Sequence, residues 1–512
     1  MEKNIDSKKN VVIELIKNKS SESPDINYRK IKFRNSYIYI VFNEATASSD
    51  TISDFIIRSI ESINFYEDDE LEIKKENAKK RWQTYKNKVQ TGNTLSSVLQ
   101  NIEEKISINS VKKLDYKKDD LFFYLFSGFS LVIYEEEILA LETKKPLDRA
   151  ISEPVTENNI RGPKDAFNEN YMTNIGLIRK RIKTEKLILK EQKLGRRTKT
   201  KVGILYMEDV AKKYIVDYVE ERLKKIDIDG ILDSNYIVEI LENGEKTGFP
   251  TMISTEKPDL VSFYLLQGRI AIVVENTPFV IVIPAFLKDF INNIDDKYIK
   301  NTKISLTRII RYIAFILTIF TPAVYVALIS FDQESIPKDL LISFAIQRDG
   351  VPFSAFFEAI LMIFAFEILR ETDYRVQNAT GNTLSIVGAL ILGDAGVAAG
   401  IVSPIMIIVI AITMISGLMF ADVNTVNALR SWRMTFLVLS GISGIYGIGI
   451  ATMFFITKMC SLSSLNMPYT YPFAPINLDE LKTDFITRNS VMNEDKRQKI
   501  LTNNLTRLRI KK

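Results

Sequence analysis

Long apolar runs are confined to the C-terminal part of this chain, where they follow a long region rich in charged residues. Three of the runs, at 309–330, 401–420 and 434–457, have the length of a membrane-crossing helix. Crossing a hydrocarbon core of about 30 Å takes roughly 20 apolar residues. The sequence therefore predicts an α/β soluble N-terminal region of two subdomains, followed by an all-α, multi-span membrane domain.

Composition excludes several classes of function. The chain has 68 Lys and Arg against 63 Asp and Glu, a net charge of +5, which suits a neighbour of an anionic membrane better than a nucleic-acid-binding protein. It has one cysteine, Cys460, and no histidine, so His-dependent catalytic triads, His-ligated metals and cysteine-rich zinc sites are excluded. We expect no enzymatic activity, no catalytic residue and no bound metal or cofactor.

Shifts in composition divide the chain into five regions. Lys, Glu, Asn and Ser dominate its first residues and the stretch at 64–92, as is typical of solvated segments. The predicted regions are a flexible leader (1–30), a first soluble α/β subdomain (31–150), a second soluble α/β subdomain (151–303), a transmembrane helical domain (304–460) and a cytoplasmic C-terminal tail (461–512).

Apolar periodicity predicts the elements of the two subdomains. In the first, we expect strands at 36–42, 121–126, 129–134 and 138–141, and a helix at 50–60. In the second, strands at 202–206, 269–274 and 279–283 alternate with helices at 165–183 and 207–226, as in an α/β layer.

Basic residues flank the apolar region on both sides. One group precedes it: Lys297, Lys300, Lys303, Arg308 and Arg311. A second group lies in the tail: Lys496, Arg497, Lys499, Arg507, Arg509, Lys511 and Lys512. The positive-inside rule then places both ends in the cytoplasm, which requires an even number of crossings. The N terminus has no apolar run of the signal-peptide type, in agreement with this orientation.

Shorter apolar segments complete the predicted membrane domain. Residues 355–369 fit a short fourth span, and 331–340 fit an external loop after the first span. Residues 384–393 are apolar but too short to cross alone, so they fit a broken, re-entrant or strongly tilted helix.

Several long motifs occur in order between about 123 and 477. They are ISEPVTENNIRGPKDAF (151–167), NIGLIRKRI (174–182), LGRRTKTKV (194–202), TEKPDLV (255–261), RDGVPFSAFFEAILMIFAFEILRE (348–371), TLSIVGALILGDAGVAAGIVS (383–403) and CSLSSLNMPYTYPFAP (460–475). On these motifs the chain resembles the A subunit of the GerA-type spore germinant receptors. The related stage V sporulation protein AF shares this architecture. Asp165, Ala166, Lys257 and Lys458 depart from the usual Glu, Gly, Arg and His of the family.

The resemblance implies a membrane subunit of a nutrient-responsive receptor in the spore inner membrane. It would form a homo-oligomer, a pentamer by family resemblance, that acts as a ligand-gated ion channel. Its partners would be a transporter-like B subunit that binds the nutrient and a lipoprotein C subunit. A non-conducting scaffold subunit and a secondary transporter are the alternatives. No inverted repeat between two membrane halves is detectable, which counts against the transporter.

The polar members of the soluble motifs are candidates for carrying a gating signal between subunits. They are Glu153, Glu157, Arg161, Arg179, Arg181, Glu256 and Asp259. The alternative is that they form salt bridges and helix caps within the subdomains.

A stripe of four residues on one predicted helix is the pore candidate. Thr383, Val387, Ile391 and Asp394 recur at helical spacing, joining a hydroxyl, two aliphatic groups and a carboxylate. In a symmetric ring they would make a hydrophobic gate with a carboxylate ring that favours cations. The alternative is packing against neighbouring helices, with Asp394 capping the helix that follows.

Charged residues within apolar segments usually face protein or water. Glu358 and Glu367 lie on opposite faces of one predicted helix, so they are not expected to form a single site. Glu367 is expected to pair locally with Arg370.

Small residues in the apolar segments favour close helix packing. The candidates are Gly396 and Gly400 in one segment, and Gly441, Gly444 and Gly447 in the last.

Overall fold

The computed structural model describes residues 5–33, 36–61, 108, 110–134, 137–146, 162–242, 248–293, 296, 298, 304–375, 388, 392–420, 422–481 and 497–506. Statements below refer to these residues.

The first subdomain is a five-stranded antiparallel sheet covered by helices on both faces. Its elements are α1 (Ile5–Glu22), β1 (Ile26–Phe33), β2 (Ser36–Asn43), α2 (Ser49–Thr51, continued by a π-helix at Ile52–Ile57), β3 (Val111–Leu114), α3 (Lys118–Phe126), β4 (Phe129–Tyr134) and β5 (Glu137–Glu142). The strand order is β1-β2-β4-β5-β3. Helices α1 and α3 pack on one face and α2 on the other, so both faces are buried.

Two expectations for this subdomain are wrong. The N-terminal residues are not a flexible leader, because α1 packs its Ile16 into the core and Asp25 is fully buried. Residues 121–126 belong to helix α3 rather than to a strand. Leu121, Phe122, Leu125 and Phe126 are the buried residues of α3, a spacing that matches one helix face and not the alternation of a strand.

The second subdomain is also a five-stranded antiparallel sheet between two helical layers. Its elements are α4 (Tyr171–Arg181), β6 (Leu187–Leu194), β7 (Thr200–Met207), α5 (Lys213–Lys224), α6 (Ser234–Leu241), β8 (Ile253–Thr255), α7 (Pro258–Leu266), β9 (Ile270–Val274), β10 (Val280–Ile283) and α8 (Leu287–Ile291). Helices α4 and α7 pack on one face, and α5 and α6 on the other. The three predicted strands are confirmed as β7, β9 and β10. The two predicted helices correspond to α4 and α5, which begin later in the sequence than expected.

The two subdomains repeat one topology. The second sheet has the order β6-β7-β9-β10-β8, which is the order of the first sheet shifted by five strands. Helices α3 and α7 each contain the tripeptide Phe-Tyr-Leu and end just before a glycine with positive φ, Gly128 (86°) or Gly268 (98°). The N-terminal region is therefore an internal duplication, which the sequence analysis did not detect.

The C-terminal part, residues 304–461, is a bundle of helices. They are α9 (Ile304–Ser330), α10 (Lys338–Arg348), α11 (Ala355–Arg375), α12 (392–398), α13 (Pro404–Gly417) and α14 (Val423–Ser461). By length and composition, two described segments have the character of membrane-crossing helices, Leu306–Ser330 and Val423–Ser461, but the second is interrupted at Ser443 and Gly444. Helix α13 is apolar but shorter.

Helix α14 is a hairpin of two antiparallel arms, 423–442 and 445–461. Ser443 (φ −138°, ψ 22°) and Gly444 (φ 59°, ψ −136°) break the helical backbone. Trp432 and Phe455, which are equally spaced about this turn, have ring centroids 5.0 Å apart. The run 434–457, predicted as one span, therefore contains the turn between two helices.

The turn of α14 marks one end of the bundle. Asp332, just after α9, accepts a hydrogen bond from Ile445 N (3.3 Å), and Phe356 of α11 packs against Gly441. We call this the distal end. The opposite, proximal end contacts the second subdomain, so α9 runs from proximal to distal and α11 from distal to proximal.

The described parts of the predicted C-terminal tail, 461–481 and 497–506, contribute buried residues to the fold. The strands β11 (Ser463–Ser464) and β12 (Met467–Pro468) and the helix α15 (Leu478–Leu481) follow the bundle. Beyond them, Leu501 is fully buried in the second subdomain, and Arg497 Nε donates to Leu266 O (2.8 Å). Both ends of the bundle sequence thus return to the same subdomain.

Candidate functional site

The start of α9 is tied to the second subdomain by one carboxylate and two guanidinium groups. Asp296 accepts from Arg308 Nε (3.2 Å) and from both terminal nitrogens of Arg311 (2.8 and 3.1 Å). Asp296 and Arg308 are buried. Arg308 and Arg311, predicted as members of a basic cluster, are therefore paired; Lys297, Lys300 and Lys303 lie outside the described residues.

The end of the bundle is tied to the same subdomain by backbone and hydroxyl contacts. The Ser464 hydroxyl donates to Thr251 O (2.6 Å) and accepts from Ala285 N (3.1 Å). Leu287 N donates to Tyr469 O (2.9 Å). Since these groups are buried, the segment after α14 is held in one position.

Aromatic rings fill the space between the two attachments. Phe249 of the second subdomain lies 6.2 Å from Phe455 of α14 and 6.5 Å from Tyr469, measured between ring centroids. Phe315 of α9 lies 6.4 Å from Phe455. We call these contacts and the two attachments the junction. A displacement of the second subdomain would therefore move the proximal ends of α9 and α14 together.

One buried ion pair joins the two subdomains. Asp25 Oδ2 accepts from Arg179 Nε (2.9 Å) and its Oδ1 from Arg179 Nη2 (3.1 Å). Ser23 and Asn43 also donate to this carboxylate. Burial alone would raise the pKa of Asp25, but the Arg179 charge and these hydrogen bonds outweigh it and hold the pKa below its usual value. Among the coupling candidates that the structure describes, Arg179 is thus the one that spans the subdomains.

The remaining coupling candidates that the structure describes make contacts within the second subdomain or beside it. Arg181 Nη2 donates to Asp165 (2.6 Å), and Asp259 accepts from Tyr298 Oη (2.6 Å). Glu256 is buried, and its backbone oxygen accepts from Phe167 N (2.8 Å). Glu153, Glu157 and Arg161 lie outside the described residues.

A polar cleft of about 420 Å³ lies where the two subdomains meet. Glu44 and Lys145 line it from the first subdomain, and Glu169, Lys201 and Glu275 from the second. It offers charged groups of both signs to a small polar molecule. These residues come from four loops and a strand that only the fold brings together, so no sequence pattern indicates the cleft.

The two acidic residues of α11 belong to separate clusters, as predicted. Glu358 Oε1 accepts from the backbone N (2.6 Å) and the hydroxyl (2.5 Å) of Ser403, at the start of α13. Glu367 Oε1 accepts from Arg430 Nε and Arg433 Nη2, both at 2.8 Å. Arg430 and Arg433 lie on α14, far from Glu367 in the sequence, so local helical spacing indicates Arg370 and not these partners.

Most of the predicted pore stripe cannot be placed: Thr383, Val387 and Ile391 lie outside the described residues. Asp394 is exposed and lies inside α12. As a helical residue, it is not the N-cap of a helix that begins at Ala395.

The predicted packing glycines have several roles. Gly400 (φ 67°) and Gly444 (φ 59°) take backbone conformations that other residues rarely adopt. A Cβ at Gly441 would lie 2.3 Å from the Phe356 ring, and one at Gly447 would lie 1.9 Å from Leu439 O. Gly396 has looser contacts, with Val402 at 3.6 Å. Gly444 and Gly447 therefore shape the α14 hairpin, whereas Gly441 allows the close approach of α11 to α14.

Known proteins share much of this sequence. Spore germination protein KA of Bacillus subtilis (strain 168) is 38% identical over 388 residues, which cover 75% of this chain and 71% of that protein. Spore germination protein B1 of the same organism is 35% identical over 364 residues, covering 71% of this chain and 75% of that protein.

A solved structure is also similar in sequence. It is the crystal structure of the N-terminal domain of the A subunit of the Bacillus megaterium spore germinant receptor GerK3, with 32% identity and a TM-score of 0.37. The match covers 54% of this chain and 94% of that domain. Across nearly the whole sequence, residues 14–500 match one family model, and the chain belongs to the Bacillus/Clostridium GerA spore germination protein family.

Proposed function

We propose that this chain is a membrane subunit of a nutrient-responsive spore germinant receptor. It oligomerises into a ligand-gated ion channel whose opening releases cations and starts germination. The junction is the observation that carries this proposal. Because one subdomain holds both the first and the last helix of the bundle, its displacement is transmitted to two helices at once.

The proposed orientation places the N- and C-terminal regions on the cytoplasmic, or core, side of the spore inner membrane. It is supported by the return of residues 497–506 to the second subdomain. The partners would be a transporter-like B subunit, which binds the nutrient, and a lipoprotein C subunit. The homo-oligomer would be a pentamer, as the resemblance to the GerA-type A subunits implies.

The pore is assigned to the segment that carries Thr383, Val387, Ile391 and Asp394. Support comes from chain direction, since α11 ends proximally at Arg375 and α13 begins near Glu358 on the distal half. An exposed carboxylate at Asp394 suits a position facing water or another subunit.

Potassium release from spores in the absence of nutrient tests the proposal. Val387→Ala removes two methyl groups from the proposed hydrophobic gate, so we expect spontaneous release. Val438→Ala is the matched control, because Val438 is 40% exposed on the outside of α14. Potassium release that stays nutrient-dependent in both variants would show that the pore lies in another part of the protein.

Reconstitution of the purified protein into liposomes distinguishes a channel from a scaffold and from a transporter. Ion flux through the assembled oligomer without substrate coupling supports a channel. An oligomer that forms and gives no flux supports a non-conducting scaffold, and flux coupled to a substrate supports a transporter.

A further inference from the structure

A cleft of about 520 Å³ opens on the side of the bundle, between α11 and the first arm of α14. One half of the cleft is lined by apolar side chains and the other half by polar ones. Ile360, Phe364 and Met434 provide apolar surface, and Glu367, Asn427 and Arg430 provide polar groups. The side chain of Phe364 is left exposed, at 66%, so the apolar half of the cleft is open at the side of the bundle.

The polar half has an excess of positive charge. Glu367 is the only carboxylate among the described lining residues, and it is shared by Arg430 and by Arg433 behind it. Two guanidinium groups on one carboxylate leave one positive charge uncompensated. Arg370 and Glu371, which follow on α11, cancel each other in formal charge.

Donors are available where this charge lies. Arg433 is 2% exposed, and its buried Nε has no hydrogen-bond partner in the described structure. The Arg430 side chain is 33% exposed, and its Nη1 donates to Asn427 Oδ1 (2.9 Å); both residues line the cleft, and the Asn427 amide nitrogen is a further donor type there. An anion at Arg430 and Asn427 would offset the excess charge.

The position of the cleft suits a lipid headgroup. Glu367 lies eight residues before the proximal end of α11 at Arg375, or about 12 Å at 1.5 Å per residue. Basic pockets between membrane helices on the cytoplasmic side bind anionic headgroups. The exposed apolar half lies farther from the proximal end, where an acyl chain would extend.

We propose that this cleft binds one anionic phospholipid. The phosphate lies against Arg430 and Asn427, and an acyl chain lies along Ile360, Phe364 and Met434. This site requires that the bundle lies in a bilayer, but it does not depend on ion conduction. Its test therefore fails or succeeds independently of the channel proposal.

The test is native mass spectrometry of the delipidated full-length protein, titrated with phosphatidylglycerol and phosphatidylcholine of equal acyl chains. Wild type is expected to prefer phosphatidylglycerol. Ser431, which also lines the cleft, is exposed and donates to the carbonyl four residues before it. Ser431→Asp places a competing carboxylate beside Arg430, so we expect the preference to fall about fivefold.

Two controls separate charge at this site from other effects. Ser431→Asn has the size of the aspartate without its charge and should keep the wild-type preference. Ser343→Asp makes the same change on α10, where Ser343 is also exposed and donates to the carbonyl four residues before it. It should also leave the preference unchanged.

Four results would each overturn the proposal. One is an unchanged preference in Ser431→Asp, and another is an equal loss in Ser343→Asp. A third is displacement of the bound lipid by glycerol 3-phosphate alone, which would make this a site for free anions. The fourth is loss of the oligomer in Ser431→Asp with lipid binding intact, which would assign the cleft to a second copy of the chain.

Discussion

Arg179 and Asp25 lie 154 positions apart in the sequence and form an ion pair in which both side chains are fully buried. The guanidinium also stacks on the Phe126 ring, at 4.4 Å from its centroid. Asp25 immediately precedes β1 of the first subdomain, and Arg179 belongs to α4 of the second. Their relative position is therefore fixed by a contact that tolerates little displacement.

Removing one partner of this pair should loosen the subdomain interface. Asp25→Asn leaves Arg179 buried without a counter-charge, which costs about 3–5 kcal/mol in comparable sites. Hydrogen exchange of the full-length protein should then be faster in β1 and α4 than in wild type.

The exposed pair Arg196–Asp227 is the matched control for that change. It has the same two-point geometry, but its side chains are 64% and 66% exposed. Because solvent screens this exposed pair, Asp227→Asn should leave stability close to that of wild type. Equal effects of the two substitutions would show that burial does not strengthen the Asp25 contact.

Acid should weaken the same interface. The pKa of Asp25 is lower in the folded protein than in the unfolded chain, so the unfolded state binds more protons as pH falls. The stabilisation is fully present above about pH 4, the usual pKa of an aspartate, and is lost as pH falls further through the folded pKa. Hydrogen exchange of β1 between pH 5 and 3, corrected for the intrinsic rate, measures this loss.

Asp25→Asn provides the reference for the acid experiment, because it has no carboxyl group to titrate at this position. The variant should be less stable at pH 5 and should lose less stability on acidification. Parallel pH profiles for the two proteins would assign the acid sensitivity to other carboxylates.

The α14 hairpin predicts opposite effects for two glycines. Gly444 has a φ of 59°, and a Cβ there would lie 2.7 Å from Phe331 Cβ. Gly444→Ala should lower the stability of the purified protein by about 1–3 kcal/mol from backbone strain alone. Thermal melting in detergent, followed by circular dichroism, measures the change.

Gly449 is the control on the second arm of the same hairpin. A Cβ at this position meets nothing within 4 Å, and alanine favours a helix over glycine. Gly449→Ala should melt at or above the wild-type temperature. A loss as large as that of Gly444→Ala would contradict the hairpin turn.

The sequence predicted elements whose pattern is local, and missed those that depend on distant contacts. Strands such as β9 and β10 are apolar throughout and bounded by turn residues, so they were identified correctly. The α14 turn was missed because Ser443 and Gly444 lie in an unbroken apolar run and a glycine there is equally typical of helix packing. The dihedral angles of Ser443 and Gly444 and the position of Phe455 beside Trp432 distinguish the two.

For the candidate sites too, local patterns were predicted from the sequence and distant contacts were not. Charges at Glu358 and Glu367 were recognised as functional candidates, because charge inside an apolar segment is costly. Their partners were not found, since Ser403 lies 45 positions from Glu358 and Arg433 lies 66 positions from Glu367. Asp25 was assigned to a flexible leader because its neighbours in the sequence are charged, whereas its burial depends on α4.

Glu358 should act through the start of α13. Its carboxylate accepts from the Ser403 backbone N and hydroxyl, and the same hydroxyl accepts from Met406 N (3.3 Å) as the N-cap of α13. Glu358→Leu leaves these buried donors without an acceptor, at a cost of about 1–3 kcal/mol for each unsatisfied group. Glu358→Gln retains an oxygen acceptor and should lose much less. Melting of the two variants in detergent, with hydrogen exchange of α13, tests the difference. Equal losses would mean that the charge beside Arg348, 3.9 Å away, stabilises the protein more than the N-cap does.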